Sequence, residues 1–142
     1  MQLSILVVSL ALAAVQAAPG PMRARLAPVP IDLSMQEAIA GLGAATATLA
    51  GTSLAVEGTY KGLKSPATAV RVYDSPKPGI RGTFVGEFPS GGGTSGAFKG
   101  SITLTREQAA AYGKGLLYVQ VHSEKAPDGN LWGWLTAPKG QR

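Results

Sequence analysis

The chain has 142 residues, 13 basic against 8 acidic, a formal net charge of +5 and no cysteine. The missing cysteines exclude a disulfide framework, thiolate catalysis and cysteine-based metal sites. The basic residues stand singly, without a base-stacking aromatic motif beside them, so the excess suits contact with an anionic surface and argues against nucleic acid as a partner.

Residues 1–17, MQLSILVVSLALAAVQA, carry no charge and hold an apolar run from Leu3 to Val15. They read as a secretory signal peptide, and the run is shorter than the ~20 residues a membrane span needs. The 142 − 17 = 125 residues that follow suit one domain. Residues 18–30 are rich in Ala and Pro. Pro19, Pro21, Pro28 and Pro30 remove backbone donors, which predicts an extended, disordered lead-in, with Arg23 and Arg25 placed where a pro-segment would be processed.

From residue 31 onward, short runs alternate between apolar and polar residues and are broken by Gly or Pro, the period-2 signature of half-buried strands. Eight strands are predicted, at residues 31–37, 44–49, 53–63, 67–73, 82–88, 97–104, 116–122 and 130–136. In the third, Leu54, Val56, Gly58 and Tyr60 share one face while Glu57, Thr59 and Lys61 share the other. Ala50-Gly51-Thr52 suits a tight hairpin, and Pro127-Asp128-Gly129 has the composition of a turn. Thr105-Arg106-Glu107-Gln108 is a capping-box pattern followed by three alanines, with Gly113 at the C′ position, so one short connector helix is expected. Gly91, Gly93 and Gly96 match G-x-G-x-x-G in form only. A strand follows them where a dinucleotide site needs a helix, and a flexible loop is expected instead.

Chemistry has few carriers here. His122 is the single histidine, and its neighbour Ser123 should point to the opposite face of a strand, so the two make a poor base and nucleophile. Glu107, Glu124 and Asp128 fall in the predicted helix and loops, with no clustered carboxylate pair. An enzyme is not the expected reading.

Several ordered fragments resemble the CHRD domain family. They are Leu33-Ser34-Met35-Gln36-Glu37, Ala45-Thr46-Ala47-Thr48-Leu49, Tyr60-Lys61-Gly62-Leu63 leading to Ser65-Pro66-Ala67-Thr68-Ala69, and Pro78-Gly79 with Gly82 beyond. The run from Gly115 to Ser123, followed by Gly129-Asn130-Leu131, is the most telling piece. Together they cover residues 31–136, which sets the domain boundaries and leaves residues 137–142 as a tail. The resemblance implies an all-β, Greek-key-like antiparallel β-sandwich or flattened barrel similar to that of copper/zinc superoxide dismutase. It also implies a His-x-His pair and a third histidine in a copper site. Here the pair's positions hold Arg71 and Tyr73, and His122 stands at the third. A guanidinium is always cationic and offers donors only, so copper has a degenerate ligand set and no cofactor is expected.

The last predicted hairpin is unusual in its aromatics. Leu117, Val119 and Val121 should face the core, which leaves Tyr118, Gln120 and His122 outside. Trp132 and Trp134 should join them there. Two arrangements satisfy this pattern. Either residues 74–87 or the Gly-rich segment covers the tryptophans as a second small core, or the rings form an exposed platform. The second arrangement makes Trp132, Trp134, Tyr118 and His122 the candidate ligand-binding residues of a secreted binding module for an extracellular polysaccharide or protein. The alternative function is a copper-binding or superoxide dismutase-like domain at Arg71, Tyr73 and His122.

Overall fold

A computed structural model describes residues 20–138; the leader-like residues 1–17 and residues 139–142 of the tail lie outside them. Eight strands form the domain: β1 (Met22–Pro28), β2 (Leu42–Ala50), β3 (Ser53–Lys61), β4 (Ala67–Asp74), β5 (Thr83–Phe88), β6 (Gly96–Thr103), β7 (Leu117–Ser123) and β8 (Ala126–Trp134). A helix, α1 (Arg106–Gly113), and a 3-10 turn at Leu33–Met35 complete it. No helix of the described residues is long and apolar enough to cross a membrane.

The strands run β5-β4-β7-β8-β1-β2-β3-β6, every hydrogen-bonded pair antiparallel. The order is a Greek key, because β3 lies beside β6 while consecutive β4, β5 and β6 return towards it. The two edges nearly meet, and side chains close the seam. A Cβ at Gly86 would lie 2.7 Å from Ile102, and one at Gly100 would collide with the Phe88 ring. Glycine at both positions lets β5 and β6 approach closely enough to form a nearly closed barrel.

The residues 18–30 expected to be disordered instead supply β1. Met22, Ala24 and Leu26 are buried while Arg23 and Arg25 alternate outward, the half-buried strand pattern. β1 joins the two halves of the barrel, pairing with β2 at Met22–Leu26 and with β8 at Ala27 and Pro28. Its single in-strand proline sits at the end, where the lost donor costs the ladder least. Cleavage beside Arg25 would cut this strand. The strand expected at residues 31–37 is a 3-10 turn, capped by the Asp32 carboxylate, which accepts from the Ser34 N–H at 2.9 Å. That local acceptor favours a turn over a ladder.

Other expectations hold with small changes. Ala50 pairs with Ser53 across Gly51-Thr52, with Gly51 at φ 62°. Thr105 and Gln108 form the capping box, while the residue with positive φ after α1 is Gly115 rather than Gly113. The helix is more than a connector, since Tyr112 is fully buried and donates to the Ala47 carbonyl at 3.2 Å. The Gly-rich loop is pinned: Gly93 and Thr94 accept from the Ala67 and Leu63 N–H groups, and Ser90 donates to the Ala67 carbonyl.

Candidate functional site

Pro127-Asp128-Gly129 does not make the β7–β8 turn. That turn is Glu124-Lys125, with Ser123 paired to Ala126. The ladder resumes at Val121 and Leu131, so five steps along β8 match two along β7, and residues 127–130 form a wide bulge. Gly129 has φ 129°, and a Cβ there would stand 2.6 Å from the Gln120 amide. The bulge turns two backbone carbonyls toward the outer face of β7. Pro127 O accepts from His122 Nδ1 at 2.8 Å, and Asp128 O accepts from Gln120 Nε2 at 3.1 Å.

A carbonyl can only accept, so His122 carries its proton on Nδ1 and presents a bare lone pair at Nε2. The Tyr73 hydroxyl lies 3.1 Å from that nitrogen and donates to it, with Gln120 Nε2 at 3.2 Å. Burial pushes the His122 pKa below its ordinary value; the bond to Pro127 opposes this, and the Arg71 and Arg81 charges add to the lowering. Beside Tyr73, Arg71 donates through Nε to Glu87 at 2.7 Å, and Glu87 and then Tyr73 hold the guanidinium firmly charged.

The expected outward trio is not a free surface. Tyr118 and His122 are 1% and 3% exposed, and Gln120 is equally buried. The β4–β5 loop covers them from one side, where the Gly82 N–H donates to the Tyr118 hydroxyl at 3.0 Å. Arg81 donates to Asp128 O at 2.7 Å and lies 5.8 Å from the centre of the Trp132 ring. From the other side Trp132 packs against a small cluster of Val29, Ile39 and Ala126, with Met35 and Ala38. The tryptophans are therefore half-buried. The cover of Trp132 is Arg81 of the β4–β5 loop and the segment around the 3-10 turn, Trp134 packs on Trp132 and Tyr118, and the Gly-rich loop bonds instead to Leu63 and Ala67.

What reaches solvent is the end of a row. Phe84, Tyr73, Tyr118 and Trp134 are neighbours in register on the adjacent strands β5, β4, β7 and β8. Tyr73 stacks on Tyr118 at 5.1 Å, Tyr118 meets Trp134 at 4.7 Å, and Trp134 meets Trp132 at 4.7 Å. Phe84 closes the row edge-on to Tyr73 at 6.2 Å and is 59% exposed. Next to the row is an open cleft of about 510 Å³, lined by Met35, Arg71, Tyr73, Arg81, Gln120 and His122 among others.

Phe84 and Arg81 escape a sequence reading for different reasons. Phe84 shares parity with Gly86 and Phe88, which face the seam and core. A bulge at Val85 sets Gly86 opposite Val72 but Phe84 opposite Tyr73, and so turns Phe84 outward. Arg81 lies in a loop whose path no periodicity encodes.

Against known families, the model of the CHRD domain matches residues 28–135. The chain belongs to the CHRD family. No curated protein and no solved structure matches it. In this CHRD domain the three positions considered for copper come together, with Tyr73 bonded to His122 and Arg71 beside Tyr73. They do not fit the metal. The Nε2 lone pair already accepts from Tyr73, and a guanidinium stands where a second imidazole is needed. Among the described residues no group of three or more His, Cys, Asp or Glu is placed to hold an ion. Nor do His122 and Ser123 form a catalytic pair, because the buried Ser123 hydroxyl accepts from Asn130 Nδ2 at 2.9 Å.

Proposed function

We propose that this CHRD domain is a secreted, non-enzymatic binding module that holds an extracellular polysaccharide against its outer aromatic row. The observation that carries the reading is the in-register row ending at exposed Phe84 and running alongside a polar cleft. Flat rings give a large apolar contact at little cost in conformational entropy, and the cleft's donors and acceptors supply orientation. Family membership and the leader-like residues 1–17 support an extracellular setting. Trp132, Trp134, Tyr118 and His122 then divide the work. The first two are contact residues at their open edges, and the buried pair holds the row and the cleft floor in place.

The test is a panel of neutral and acidic polysaccharides, together with extracellular protein fractions, read by tryptophan emission and by retardation in native gels. Polysaccharide binding that Phe84→Ala weakens supports the reading. Binding of protein alone, or polysaccharide binding indifferent to Phe84, contradicts it.

A further inference from the structure

Resting on the polysaccharide reading, we infer that the cleft beside the aromatic row takes a sugar carboxylate, so that the ligand is a uronate-containing chain. Charge placement decides this. Among the described residues the single ion pair is Arg71 with Glu87, which leaves the Arg81 guanidinium without a carboxylate partner. Arg81 is exposed, and its Nη1 bond goes to the main-chain carbonyl of Asp128 rather than to the Asp128 carboxylate. That bond and the Trp132 ring fix the guanidinium at the cleft wall and leave further N–H groups free. Arg71 lines the same cleft, held by Glu87 through Nε and by the neighbouring Tyr73.

The charge count also limits the anion. Among the described residues Glu87 pairs with Arg71, while the Asp128 carboxylate, which also lines the cleft, forms no ion pair with Arg81. Arg81 is thus the cleft guanidinium without an ion-pair partner, and it matches a single negative charge. A fork of N–H donors matches a carboxylate in a planar, bidentate way. A doubly charged phosphate would bring a second negative charge into a cleft that the Asp128 carboxylate also lines. Tyr73 both lines the cleft and belongs to the row, and Phe84 packs edge-on against it, so the row adjoins the cleft. A sugar ring packed on the aromatics therefore brings its carboxylate to Arg81.

The chain supplies its own reporter, because both tryptophans stand at the site. Emission is titrated with hexagalacturonate, its methyl ester and cellohexaose, using the full domain. The acid should shift the emission, bind about tenfold or more tightly than its ester, and lose that advantage in Arg81→Gln and as salt rises. Equal binding of acid, ester and neutral sugar overturns the uronate inference and leaves the aromatic reading standing. No response to any of the three overturns both. Should Arg81→Gln lower the melting temperature, the comparison of acid with ester on the wild-type chain decides by itself.

Discussion

The Nδ1–H of His122 donates to the Pro127 carbonyl at 2.8 Å, which fixes the orientation of the imidazole and places its proton on Nδ1 inside the fold. Burial, the larger cause, holds its pKa below the ordinary 6.5. The unfolded chain therefore binds this proton more readily than the folded one. The stabilising contribution is complete above about pH 6.5 and is lost as the pH falls through the lower folded value. Urea midpoints should be level above about pH 7 and decline in acid, with part of the decline absent in His122→Asn. The same acid slope in both proteins would contradict this role.

Gly129 and Gln120 give a second test, because the bulge exists in this form only without a Cβ at 129. Gly129→Ala meets both a left-handed φ of 129° and a contact at 2.6 Å, and should cost about 1–3 kcal/mol by chemical denaturation. Gly113→Ala is the control. It has open space around it at the end of α1 and should be neutral or gain up to about 1 kcal/mol.

Leu26 is fully buried in β1, between β8 and β2. Leu26→Ala should destabilise the domain by about 2–5 kcal/mol. A change within about 0.5 kcal/mol, as for an exposed site, would return residues 18–30 to the status of a lead-in.

Copper should find no stoichiometric site. Binding at Nε2 of His122 would have to break the bond from Tyr73 and place a cation beside Arg71. Elemental analysis after dialysis against copper should give the same trace content for wild type and His122→Ala. One equivalent in wild type that the variant loses would contradict the fit argument.

The barrel was largely legible from alternation, because a half-buried strand needs every second side chain apolar and that need shows at Leu54, Val56 and Tyr60. It was also present at Met22, Ala24 and Leu26, where the flanking prolines outweighed it. The site was less legible. Strand parity placed Trp132, Trp134, Tyr118 and His122 on one outer face. It could not show that the β4–β5 loop and the 3-10 turn would bury two of them. Bulges hid the rest, since one inserted residue reverses parity for Phe84, and the longer one at residues 127–130 makes hydrogen-bond acceptors of a turn-like motif.

The most direct measurement is polysaccharide affinity in Phe84→Ala, the substitution at the exposed end of the row. Tryptophan emission and thermal melting should be read on the same sample. A contact residue should lose about thirtyfold in Kd, roughly 2 kcal/mol, while the melting temperature stays within a few degrees of wild type. Unchanged affinity, or a variant that no longer folds, would show that the row is packing rather than a binding surface.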